Sequence, residues 1–218
     1  MKTQKFTTTQ IAMLGLMAAV LLLMAYTPLG YLNIGPLAIS FNVIPVAISA
    51  VVLGPTGGAI AGAIFGLTSF GQCMGFGGAG IMATTTFAIS PVLAFIQRFV
   101  PRVLDGICLG YIYKAVRKKT NVYVSCAVTG FFSAFLNTLF FMSALVILFG
   151  NQPDVRNLIG GKNIIIGCCL MVGTNAIFEI ISSTVITGAV GAALSRAHLL
   201  PAQKVTDGKN NNEDKIVA

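Results

Sequence analysis

Arg98, Arg102 and Asp105 stand four and three residues apart in a stretch that is otherwise apolar. On a helix this spacing stacks them turn upon turn along one face. A guanidinium presents a planar fork of donors that matches a carboxylate, so the trio suits two chemistries: an internal ion pair, or contact with an anionic solute. Two arginines share one aspartate, which leaves a positive charge over. Counting back from Lys114 at about 1.5 Å per residue puts Arg102 roughly 18 Å from the basic end of the helix, with Arg98 one turn higher. An ionisable group at membrane depth normally faces protein or water.

Amide and hydroxyl side chains recur at matching depths in other segments. Asn137 and Ser133 share one, Asn175 and Glu179 another, Asn42 lies in a third, and Gln72 and Gln97 lie nearer the outer side. Each alone is ordinary interhelical glue; their convergence is what makes a site. The candidate solute-binding residues are therefore Arg98, Arg102, Asn137, Asn175, Gln72, Gln97 and Asn42. Glu179 is the lone acid of its segment, open to pairing with a base or to carrying a proton.

Other chemistries lack their residues. His198 is the single histidine, and Asp105 and Glu179 fall on different segments, so no acid–base set assembles and no catalytic residue is expected. Cys73, Cys108, Cys126, Cys168 and Cys169 are odd in number, lie mostly in apolar runs and have no C-x-x-C spacing. They read as small core residues, with no metal ligand set and no cofactor. Gly54, Gly58, Gly62 and Gly66 recur every fourth residue, but no lysine follows to make a phosphate loop. The last three form a flat ridge for close helix packing. On the first apolar segment Ala12, Gly15 and Ala19 form a second small-residue face, for internal packing or for docking another membrane protein.

The elements that must position these residues are membrane helices. Of 218 residues, 56% are apolar and 9% charged, and no charge occurs between Phe6 and Gln97. A span takes about 20 residues, so an all-α, polytopic fold of six transmembrane helices uses the chain. The expected spans are Ile11–Tyr26, Leu37–Leu53 with an interruption at Pro45, Thr56–Phe70, Leu93–Tyr113, Val122–Phe149 and Asn163–Leu194. Irregular backbone is expected around Thr84–Thr86 and Ser90-Pro91. Of the 14 Lys and Arg, ten cluster at Lys2, Lys5, Lys114, Arg117, Lys118, Lys119, Arg196, Lys204, Lys209 and Lys215. Such segments stay inside, so both termini are expected to be cytoplasmic. Residues 1–201 form one membrane domain, and the polar 202–218 a disordered cytoplasmic tail. The net charge of +8 is thus a matter of topology, and nucleic-acid binding is excluded.

The runs Thr27-Pro-Leu-Gly-Tyr-Leu-Asn-Ile-Gly35, Ile44-Pro45, Leu53-Gly-Pro55, Gly62-Ala-Ile-Phe-Gly-Leu-Thr-Ser69 and Val100-Pro-Arg-Val-Leu-Asp-Gly106 occur in a specific order. In this the chain resembles the substrate-binding S-components of energy-coupling-factor (ECF) vitamin transporters over about 1–196, most closely the pantothenate-type branch. The resemblance implies a small vitamin-binding subunit of the bacterial cell membrane with no ATPase of its own. Its partners would be a transmembrane coupling protein and two cytosolic ATPases. It also implies lid loops at 28–36 and 72–80, and docking through small residues of the first helix. Here Gly15-Leu-Met-Ala-Ala19 fills the place of an Ala-x-x-x-Ala pattern. Folate, riboflavin or pyridoxine are the alternative vitamins. An ion-coupled carrier acting alone is the competing class, disfavoured by six spans without an internal repeat.

Overall fold

The computed structural model describes residues 7–27, 30–34, 37–76, 80–159, 164–197 and 199–200, with backbone alone for 31–34, 37–39, 159, 164–172, 174 and 175. The expected tail 202–218, Lys2, Lys5, His198, parts of both expected lid loops, and the side chains of Cys168, Cys169 and Asn175 lie outside the described residues.

Helix α1 runs Thr8–Tyr26. Thr7 opens it with a capping box, exchanging backbone and side-chain hydrogen bonds with Gln10. The expected second span does not begin at Leu37. Leu37–Ser40 is instead strand β2, paired antiparallel with β1, Tyr31–Ile34, in the register Tyr31↔Ser40 to Ile34↔Leu37. The described residues are otherwise helical, as expected, and this hairpin is a local departure from the all-α reading. Its sequence signal is Gly35-Pro36, two turn-forming residues between short runs that tolerate extended backbone.

Helix α2, Val43–Cys73, contains the two spans expected on either side of Gly54-Pro55. Gly54 adopts φ 70°, ψ −159°, which a side chain would resist, and Pro55 follows it. The two halves fold back on each other there. A Cβ on Gly57 would lie 2.9 Å from the Ser49 carbonyl oxygen, and one on Gly58 3.0 Å from the Ala50 Cβ. In a straight helix those partners would be about 12 Å apart. Pro45 interrupts nothing, because in the first turn its missing N–H has no partner to lose.

Helix α3, Ile81–Ile89, replaces the irregular backbone expected at the threonines. Thr84 and Thr85 donate to the Ile81 carbonyl and Thr86 to those of Met82 and Ala83, so their hydroxyls are satisfied inside the helix. Ser90 breaks the chain and caps α4, Pro91–Arg117, whose first residue is a proline. Helix α5, Val122–Phe149, has the expected limits. A short α6, Pro153–Ile159, follows the break at Gly150, and α7 covers Ile164–Arg196. Among the described residues four segments are long and apolar enough to cross a membrane: α1, α2, α5 and Ala176–Arg196 of α7. With 27 residues, α4 is about 40 Å long, but its charges lower its apolar character.

The glycine ridge is an internal seam. Cβ atoms on Gly58 and Gly62 would collide with the Gly106 and Arg102 carbonyls of α4, and one on Gly66 would come within 2.9 Å of the Phe99 Cα. Gly106 and Gly110 return the contact, against Gly58 and Pro55. The α5–α7 seam has the same character, with Gly130 against Ser183 and Gly191 against Cys126. A branched side chain in the first seam therefore has nowhere to go. Gly62→Val should cost about 1–3 kcal/mol and lower the melting temperature in a thermal unfolding assay. Gly80→Ala, with nothing within 4 Å of its Cβ, should leave that temperature nearly unchanged.

Candidate functional site

Because α4 lies backbone to backbone on α2, the arginines of α4 reach across the seam to α2 and α5. Arg98 donates from Nη1 to the Ser69 hydroxyl at 3.1 Å, and its guanidinium carbon lies 5.5 Å from the centre of the Phe141 ring. Arg102 sits between two rings, 4.3 Å from Phe141 and 5.1 Å from Phe65. Both are buried, at 7% and 6% exposure. An aromatic face attracts a cation most strongly where water is excluded, so Phe141 holds the two guanidinium groups to one place.

Asn137 stands one turn before Phe141 on α5 and is also buried. Arg102 and Asn137 are equally far along their helices from the α4–α5 turn, about 22 Å by helical rise. One further turn down α5, Ser133 donates to the Val43 carbonyl at 2.9 Å and so ties α5 to the start of α2, next to Asn42. Asn42 and Gln97 are fully buried. Among the described residues neither amide of the pair has a hydrogen-bond partner at its oxygen or its nitrogen, nor does the Asn137 oxygen.

The acids take different places. Asp105, one turn below Arg102, is buried, and its Oδ1 accepts no hydrogen bond among the described residues. Glu179, buried on α7, accepts the backbone N–H of Ser40 at 2.5 Å. Gln72 is a strut: its amide nitrogen donates to the Ala25 carbonyl at the end of α1 at 2.9 Å.

Phe141, Phe65 and Ser69 escaped the sequence reading, since 15 phenylalanines in an apolar chain do not announce which ones face a cation. A signal existed in the spacing. Ser133, Asn137 and Phe141 continue one face of α5 at four-residue steps, and Phe65 and Ser69 flank the Gly62–Gly66 ridge at the same interval.

Ala12, Gly15 and Ala19 lie on the outside of the molecule. All three are exposed, and nothing is within 4 Å of a Cβ built on Gly15. Leu16 and Leu23 on the same helix are also exposed.

Apolar helices thus enclose buried cations, aromatic faces and amides that have no hydrogen-bond partner among the described residues. The chain belongs to the family described as ECF transporter, substrate-specific component, which matches residues 9–191. Members are substrate-binding subunits of transporters and not enzymes, and this one is a multi-pass protein of the bacterial cell membrane. The pantothenic acid transporter PanT of Lactococcus lactis subsp. cremoris is 24% identical over 210 residues, 89% of this chain and 97% of the relative. The pantothenate transporter PanT of Leuconostoc mesenteroides subsp. mesenteroides is 30% identical over 176 residues, 78% of this chain and 81% of the relative.

Phe141→Leu should keep the apolar volume while removing the shared ring face, costing about 1–2 kcal/mol in thermal unfolding. Phe141→Tyr, which keeps the face, should cost clearly less in the same assay.

Proposed function

We propose that this chain is the pantothenate-binding subunit of an ECF importer, taking the vitamin from outside at the Arg98–Arg102 site. The convergence of both guanidinium groups on Phe141 beside Asn137 carries this reading, together with relatives named as pantothenate transporters. Pantothenate offers one carboxylate, hydroxyls and an amide. Arg102, with Arg98 behind it, takes the carboxylate as a charge-assisted fork. Asn42, Gln97 and Asn137 answer the hydroxyls and amide, with Asn175 and Gln72 completing the set. A buried amide without a partner costs about 1–3 kcal/mol, and a solute that supplies partners recovers it as affinity.

The topology that goes with this function has six spans and both termini in the cytoplasm, supported by the ten basic residues at the proposed inner ends. In it α4 crosses the membrane with its charges turned inward. Residues 1–201 form the binding domain and 202–218 a cytoplasmic tail. The chain binds and does not hydrolyse; a transmembrane coupling protein and two cytosolic ATPases supply the energy. The exposed small-residue face of Ala12, Gly15 and Ala19 is the docking surface for the coupling protein, since small residues let helix backbones approach in lipid.

Two measurements test these roles. Pantothenate should raise the melting temperature of the purified protein, as a ligand of the native state must. Arg102→Ala should weaken pantothenate at least about thirtyfold by calorimetry, while the neutral alcohol analogue loses far less; equal losses would make Arg102 structural. In cells, Gly15→Leu or Ala19→Leu should abolish uptake of labelled pantothenate while the purified variants still bind it. Normal uptake by both would remove the docking face.

A further inference from the structure

A two-stranded hairpin is marginal by itself, and its outer edges leave backbone N–H groups that need partners wherever water is scarce. Here the base of the hairpin is closed by the Phe41 N–H donating to the Gly30 carbonyl at 3.0 Å. The N–H of Ser40 goes elsewhere, to the Glu179 carboxylate on α7, and Ser40 itself is buried. Two other side chains hold only the flanks: Gln72 on the Ala25 carbonyl at the end of α1, and Ser133 on the Val43 carbonyl at the start of α2. Among the described residues Glu179 is the side chain that hydrogen-bonds the strand itself.

Glu179 is an expensive choice for such a tie. It is the only charged residue between Lys162 and Arg196, and a buried carboxylate needs hydrogen bonds and a nearby cation to be tolerated. Ser40 supplies the first. The same carboxylate therefore joins α7 to the hairpin base two residues before Asn42, one of the candidate solute-binding amides, at the Phe41-Asn42 turn that leads into α2. A residue without a side-chain acceptor would leave the Ser40 donor unanswered, and an exposed acid would not reach it.

We infer that Glu179 is the positioning residue that pins the base of the β1–β2 hairpin to α7 next to Asn42 and so sets how long a bound solute is retained. The retention half of this inference rests on the binding role proposed above; the pinning half does not. A carboxylate that merely filled space would leave the hairpin's amides indifferent to its removal. A latch would not.

The test compares the wild type with Glu179→Ala, Glu179→Gln and Ser40→Pro in nanodiscs. Amide exchange across residues 30–41 is measured without solute, and pantothenate association and dissociation rates are measured with it. Glutamine keeps an oxygen that accepts the Ser40 N–H, alanine keeps none, and proline removes the donor from the other side. Alanine should speed both exchange and dissociation about tenfold, with association changed less than about threefold. Proline should match alanine in the dissociation rate, and glutamine should stay within about threefold of wild type throughout. Unchanged exchange in the alanine variant would overturn the latch. So would a glutamine variant that behaves like alanine, because charge and not the hydrogen bond would then hold the strand. Should alanine not fold, the proline and glutamine variants decide the same question. If wild type binds no pantothenate while alanine still loosens 30–41, the pin stands and the solute assignment falls.

Discussion

Gly58, Gly62 and Gly66 let α4 lie with its backbone against α2, and that approach fixes where Arg98 and Arg102 can reach. The carbonyls of Arg98, Arg102 and Gly106 are themselves part of the seam, so the residues that bear the charges are also the residues that pack. With side chains in place of the ridge, α4 would stand several ångströms farther out. The guanidinium groups would then miss Ser69 and Phe65, and the site would lose one wall. Packing and the placement of the two cations are here one constraint, because in lipid the close fit of small residues replaces the hydrophobic drive that holds soluble cores together.

The electrostatic balance differs from the one read off α4 alone. Taken on one helix, two arginines and one aspartate leave a positive charge over; the fold adds a second buried acid, Glu179, from α7. The acids and the cations are held differently: the Glu179 carboxylate accepts from Ser40, while Arg102 lies against the rings of Phe65 and Phe141. In so water-poor a setting charge-assisted hydrogen bonds are strongest.

The outer surface divides along the same logic. Ile11, Leu16, Leu22 and Leu23 of α1, like Phe178, Ile181 and Val185 of α7, are large exposed apolar residues, the ordinary dress of a protein in lipid. The face of Ala12, Gly15 and Ala19 stands apart because small residues give lipid little to hold but give another helix room to approach. In the glycine ridge of α2 that room is filled by α4; on α1 no described residue fills it.

Much was legible in the sequence because one-dimensional signals suffice for it. The apolar runs located the helices, with α5 matched at both ends, and Gly54-Pro55 marked the reversal inside α2. Four-residue spacing alone disclosed the packing ridge and placed Arg98 and Arg102 on one face. The departures have local causes. The four-residue runs on either side of Gly35-Pro36 were too short to show a strand period, Pro45 fell where a helix tolerates proline, and the threonines of α3 satisfied their own hydroxyls. What the sequence could not decide was which partners distant segments offer one another. That Phe141 faces both arginines, that Gln72 braces Ala25, and that Glu179 holds a strand 139 residues away depends on how the helices pack, and no periodicity within a single helix encodes the neighbour it will meet.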